Sequence, residues 1–182
     1  MEKNYYIGEG PEAEALIAEV SACREAANNA RDAVQKEYGA DGLMIRSHSG
    51  NATGLAFKEK QHLPYLKGEE RIEGGFGYYP KLNCKQGKEL AAKLSSPELK
   101  FNASDYILGK LKLHRMCAGP HAASRTGMAL YYSVAGYTGS KVLVSIPGSK
   151  DEDPMRGKDK MPEVPAWLRP VKESEWLAAQ GK

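Results

Sequence analysis

Residues 128–146 read MALYYSVAGYTGSKVLVSI, and this stretch decides the fold. Met128–Ala135 and Lys141–Ile146 are rich in the β-branched and aromatic residues that suit a pleated, half-buried surface. The link between them, Gly136-Tyr137-Thr138-Gly139, is too short for the crossover that parallel neighbours require, so the pair reads as an antiparallel hairpin. Upstream, Gly42–His48 and Thr53–Lys58 form a second strand pair around a turn at Ser49-Gly50-Asn51. Leu43, Ile45, Leu55 and Phe57 are expected to face inward there. Runs of strands separated by isolated helices, rather than alternating βαβ units, make this an α+β chain.

The sheet of hairpins is expected to pack against a long N-terminal helix, Pro11–Tyr38. Gly10-Pro11 suits a helix start, and Glu12, Glu14 and Glu19 favour the positive end of its dipole. Gly39 is a natural stop. Leu16, Val20, Cys23, Ala27, Ala30 and Val34 recur at alternating gaps of four and three, which makes one narrow apolar stripe. Two readings of the stripe stay open. Either its alanines let the helix lie close on the chain's own sheet, or part of it is the seam of a two-fold homodimer.

Cys84–Ser95 reads as a short helix with Leu90, Ala91 and Leu94 on its apolar side. Ser104-Asp105 opens either another helix through Leu108 or, if the alternation of Tyr106–Leu113 governs, a strand. Between Glu59 and Asn83 the pattern lapses into a long connection that contains GGFGYYP. Long loops are often functional, which makes Phe76, Tyr78 and Tyr79 candidate ligand contacts; the other reading is a surface flap that they pin. Pro162, Pro165 and Pro170 keep the C-terminal tail extended. Trp167 and Trp176 dock it, and a final helical turn or two runs from Val171 to Gln180. The expectation is one domain over residues 1–182, with a body at 1–153 and an extended tail at 154–182.

A chain of 182 residues, 41% hydrophobic, is long enough to bury a core. The first residues carry early acids and no apolar h-region, so no secretory signal is expected. No apolar run reaches the length of a bilayer span, so no membrane partner is expected. Three scattered cysteines, Cys23, Cys84 and Cys117, form no disulfide framework and suit a reducing cytoplasm. Charge is uneven: residues 1–42 hold nine acids and four bases, whereas Lys81–Arg115 holds eight bases and three acids. That stretch is either a solvated surface or a patch for the phosphates of nucleic acid.

The densest chemistry lies in Leu113–Thr126, LHRMCAGPHAASRT. His114, Cys117 and His121 are zinc-type ligands, but a complete site needs a further ligand and no Cys-x-x-Cys accompanies them, so no metal is expected. Cys117 with His121 or His114 is a conceivable nucleophile pair for a small hydrolase or transferase. The competing reading makes Cys117 a small buried hydrophobe. Arg115 and Arg125, with the Ser124 and Thr126 hydroxyls and His121 nearby, have the donors to grip an anion; the other reading makes both arginines surface salt-bridge partners. There is no Walker loop, no dinucleotide fingerprint and no EF-hand order, so no cofactor is expected. The favoured reading is a non-enzymatic binding protein for a host macromolecule or a small anionic, nucleotide-like ligand. Its surface would combine Arg115, His121, Ser124 and Arg125 with Phe76, Tyr78 and Tyr79.

In layout the chain resembles the small accessory proteins encoded by temperate phages and prophages of Gram-negative bacteria. The resemblance rests on the acidic helix after GEGPEAEA, the strand pair YGADGLMIRSHSGNATGLAF, the hairpin GMALYYSVAGYTGSKVLVSIP and the tail MPEVPAWLRPVKESEW. It implies a job rather than a residue role: action on a host factor in the host cytoplasm, by binding more than by catalysis, as in countering host defence.

Overall fold

The computed structural model describes residues 3–45, 52–120, 128–148 and 161–181. The fold is α+β, with antiparallel sheets and a long N-terminal helix. The chain forms two compact units, Met1–Ser21 together with Ala103–Lys182, and Ala22–Asn102. Helix α1, Pro11–Tyr38, belongs to the first unit up to Ser21 and to the second from there on. It ends as its sequence demands. Gly39 adopts φ +62°, the Ala40 amide donates to the Gln35 carbonyl at 2.9 Å, and the Gly39 amide reaches the Lys36 carbonyl at 3.4 Å. Those two bonds make a Schellman motif, which occupies carbonyls the helix leaves bare.

In the first unit the strands are β1 (Lys3–Gly8), β6 (Met116–Pro120), β7 (Met128–Tyr132), β8 (Val134–Thr138), β9 (Lys141–Pro147) and β10 (Leu168–Val171). Four of them form an antiparallel sheet in the order β10-β1-β9-β8. Central β9 is buried from Val142 to Pro147, as expected of a strand covered on both faces. The proline-rich tail supplies β10 as an edge strand, where a Pro170 without an amide proton is tolerated. Helix α4 (Glu173–Ala179) follows, and Trp176 packs on Ile7 and Leu143 with its ring 5.3 Å from that of Tyr5. Trp167 lies across Gly8, where a Cβ would come within 2.1 Å of the indole.

Helix α3 (Ala103–Leu111) settles the choice left open at Ser104-Asp105 in favour of helix; Ile107 and Leu108 are its buried side. The Ser104 hydroxyl accepts a bond from the Ala135 amide of β8 at 2.9 Å. The expected strand Met128–Ala135 is broken at Ser133, and its halves join different sheets: β7 pairs with β6, β8 with β9. Ser133 turns inward at the break. Its hydroxyl accepts from the Arg115 amide at 3.0 Å and its own amide donates to the Arg115 carbonyl at 2.9 Å. The hairpin turn also falls later than expected, because Gly136-Tyr137-Thr138 continues the pairing as far as Thr138↔Lys141.

The second unit has a four-stranded antiparallel sheet in the order β2-β3-β5-β4, from β2 (Gly42–Ile45), β3 (Ala52–Phe57), β4 (Leu66–Ile72) and β5 (Gly75–Pro80). Here the long connection expected over Glu59–Asn83 is corrected: most of it is the hairpin β4–β5. Ile45 is a second correction. The register shifts between Met44 and Ile45, and Ile45 is 48% exposed while Leu55 and Phe57 are buried. A bulge changes the face on which the following side chain emerges. Helix α2 (Lys85–Leu94) lays Leu90 and Leu94 on Leu55, Phe57, Leu66, Tyr78 and Leu99, and Ala30, Val34 and Tyr38 of α1 pack against the same cluster. Together with the burial of Leu16, Val20 and Ala27, this means the chain itself covers most of the α1 stripe.

Candidate ligand pocket

Arg115, at the entry to β6, is only 8% exposed. Its Nε donates to Cys117 Sγ at 3.1 Å, and its Nη1 has no hydrogen-bond partner among the described residues. Cys117 is 1% exposed and its thiol points to the Gly148 carbonyl at 3.8 Å, so it is placed as a packed core group. His114 is exposed. His121, Ser124, Arg125 and Thr126 lie outside the described residues. No group of three or more His, Cys, Asp or Glu residues that could hold a metal occurs among the described residues.

Phe76, Tyr78 and Tyr79 stand on β5, in the second unit, whereas Arg115 belongs to the first. Strand alternation separates their duties. Tyr78 is buried, its ring 5.8 Å from Phe57 and its hydroxyl accepting from the Gln61 amide at 2.7 Å. Phe76 packs at the margin of the same core. Tyr79 is half-buried on the opposite face; its hydroxyl donates to Glu70 Oε2 at 2.6 Å and its flank lines a pocket.

That pocket, an open concavity of about 580 Å³, is bordered by β3, β4, β5 and the end of α2, with Ala52, Thr53, Lys67, Tyr79, Leu82 and Lys100 among its lining residues. The volume is in the usual range for small-molecule sites. A neighbouring pocket of about 470 Å³ shares Lys67 and Leu82 with it and adds Lys81 and Asn83. Lys67, Lys81 and Lys100 have no carboxylate within ion-pair distance among the described residues. Their basic neighbours differ: Lys93 is bonded to Glu37, and Lys110 lies 2.5 Å from Glu19. Each of those hydrogen bonds raises the lysine's pKa above the ordinary value.

Lys81 is set by its backbone. Its amide donates to the Tyr65 carbonyl at 2.8 Å, and its carbonyl takes the Cys84 thiol at 3.6 Å. Gly87, on the buried side of α2, lets the helix close on that carbonyl, since a Cβ there would lie 1.8 Å from the oxygen. A family model matches residues 70–182, more than half of the chain. The chain belongs to the family of unknown function DUF5420. The matched span of this DUF5420 member includes Tyr79, Leu82, Ala91, Leu94, Ser95 and Lys100 of the pocket, and stops short of Ala52, Thr53 and Lys67. No curated protein and no solved structure matches the chain. No helix among the described residues is long and apolar enough to cross a membrane.

Sequence reading reached Tyr79 through the aromatic run and Lys81 and Lys100 through the basic stretch. It missed Lys67 and Thr53, which lie outside both.

Proposed function

We propose that this protein binds a small anionic ligand, and that the pocket of the second unit is where it does so. The observation that carries the reading is the trio Lys67, Lys81 and Lys100 on two adjoining pockets, Lys67 common to both, with no partner carboxylate among the described residues. An ammonium left in that state is attracted to any anion that enters, and because Lys67 and Lys100 are exposed the attraction is one that salt screens. Binding rather than catalysis fits the burial of Cys117 and suits the kind of job that the resemblance to phage accessory proteins implies. A nucleic-acid track along 81–115 is less favoured. Arg115 is buried and Lys85, Lys93 and Lys110 are paired with carboxylates, which interrupts the run of free charge that a phosphate backbone would follow.

The test is a thermal-shift screen of small anions, covering inorganic phosphate, nucleotides and carboxylates. A ligand at a hundred times its Kd adds about 2.7 kcal/mol to the stability of the form that binds it. At least one anion is expected to raise the melting temperature, and Lys67→Gln with Lys100→Gln to abolish the rise without altering the ligand-free melt. A screen in which no anion moves the transition refutes the reading.

A further inference from the structure

The groups between the lysines narrow the choice of anion. Much of the wall there is apolar, formed by Leu82, Ala91 and Leu94 together with Ala52 and Pro80. Leu82 stands 60% exposed at the mouth shared by both pockets, so an apolar group laid on it removes leucine surface from water. Two of the hydroxyls on this lining are engaged as donors elsewhere, Thr53 Oγ1 to the Met44 carbonyl at 3.3 Å and Tyr79 Oη to Glu70 at 2.6 Å, which leaves the Ser95 hydroxyl in one pocket and the Asn83 amide in the other to read a nucleobase edge. Each hydroxyl has one proton to give. A site that selects a polar base needs several convergent hydrogen bonds, and unpaired polar groups on the ligand would be left buried against alanine and leucine.

We infer that the ligand is an amphipathic anion, a carboxylate or phosphate head on an alkyl or aryl body, and not a nucleotide. This rests on reading the pocket as an anion site. The head meets the ammonium groups of Lys67, Lys81 and Lys100, and the body lies along Leu82, Ala91 and Leu94. The lysine stems contribute apolar surface on the way to their charged ends.

Isothermal titration of the full chain with hexanoate, octanoate and decanoate, each below its micellar concentration, tests the inference. Each buried methylene strengthens binding by about fourfold, so two added carbons are expected to give more than a tenfold gain until the tail outgrows the pocket. Octylamine, with the same body and the opposite charge, is expected not to bind. Leu82→Asn should weaken decanoate more than hexanoate and so flatten the dependence on chain length. Lys67→Gln with Lys100→Gln should weaken every acid by tenfold or more. Both variants should keep the wild-type circular dichroism melt. If ATP or inorganic phosphate binds and the acids do not, or if affinity ignores chain length, the inference falls and the anion pocket stands. If the protein sediments with anionic phospholipid vesicles but takes up no soluble acid, the face docks on a surface and the inference falls. If no anion of any kind binds, both readings fall together.

Discussion

Substituting alanine for glycine at three places in the second sheet should give three different results, because what a new Cβ meets differs at each. At Gly54, on β3, it would lie 2.2 Å from the Tyr78 carbonyl oxygen. That is more than an ångström inside van der Waals contact, and the obstacle is backbone, so β3 and β5 must move apart. Overpacking of this kind costs about 1–3 kcal/mol, and a backbone obstacle puts it at the upper end. At Gly77, on β5, the Cβ would lie 2.3 Å from Met44 Sδ and 2.7 Å from its Cε. Methionine is unbranched and can withdraw, so the loss should stay below about 1 kcal/mol. At Gly42 the nearest atom is Ala56 Cβ at 3.6 Å, ordinary contact. There the lower entropy of the unfolded chain should leave a gain of about 0.4–1 kcal/mol. With roughly 4–8 °C of melting temperature per kcal/mol for a unit of this size, Gly54→Ala should melt about ten degrees or more below Gly42→Ala. Circular dichroism melts give the order, and deuterium exchange in β3 and β5 localises it. Tryptophan fluorescence does not, since Trp167 and Trp176 both belong to the first unit. If Gly54→Ala melts with the wild type, or Gly77→Ala falls further than Gly54→Ala, the pairing of Leu55 opposite Tyr78 is wrong.

Lys112 closes α3 in the left-handed region at φ +56°, with the following Leu113 amide donating to the Leu108 carbonyl at 2.9 Å, so Lys112→Gly should stabilise the protein by about 0.5–1 kcal/mol in chemical denaturation. The Trp176 indole N–H has no partner among the described residues, so Trp176→Phe should cost clearly less than Trp176→Ala, for which about 3–5 kcal/mol is expected; equal losses would show that the N–H matters. Burial first, and then the Glu173 carboxylate that accepts its hydrogen bond, push the Tyr5 phenol from 10.0 up to about 12. Folding thus favours the neutral phenol: its contribution is whole below pH 10 and is lost as pH rises towards 12, so Tyr5→Phe should flatten the alkaline fall in stability, and an unchanged profile would contradict the assignment.

Elements whose local preferences all agree were legible. Helix α1 has a proline start, acids in its first turn, an apolar stripe and a glycine stop, and its limits match the sequence reading residue for residue. Helix α2 and the strands β2, β3 and β9 followed from period and punctuation in the same way, whereas the strand expected over Met128–Ala135 covers β7 and only the first two residues of β8. The hairpin β4–β5 was not legible. Edge strand β4 reads LKGEERI, with charges where alternation would show a buried face, and a register shift between Lys67 and Glu70 breaks what period there is. Strand β5 holds Gly75 and Gly77 because other chain segments come too close for a Cβ: the Phe57 carbonyl oxygen at 2.2 Å and the end of Met44 at 2.3 Å. Those partners are 18 and 33 residues away in sequence, so nothing local distinguishes the glycines of a crowded strand from those of a loop.

The pocket was hidden for the same reason in sharper form. Its charges come from β4, from the segment after β5 and from the turn before α3, so no short stretch contains the trio. A basic stretch shows composition, not pairing. Of the bases in Lys81–Arg115, Lys93 and Lys110 are matched by acids of α1, Glu37 and Glu19, some 56 and 91 residues distant, and Arg115 is turned inward. What remains unmatched is decided by which carboxylates the fold brings near: α1 brings one each to Lys93 and Lys110, Lys85 pairs with Glu89 inside α2, and Lys88 and Lys112 have no carboxylate partner among the described residues. The acids along one helix therefore withdraw two lysines of this basic stretch from competition for an anion. The same logic makes Glu37 and Glu19 informative controls for the ligand experiments. Replacing either by glutamine frees Lys93 or Lys110 outside the pocket, adding general anion attraction that salt screens away, while the affinity set by Lys67, Lys81 and Lys100 stays as it was.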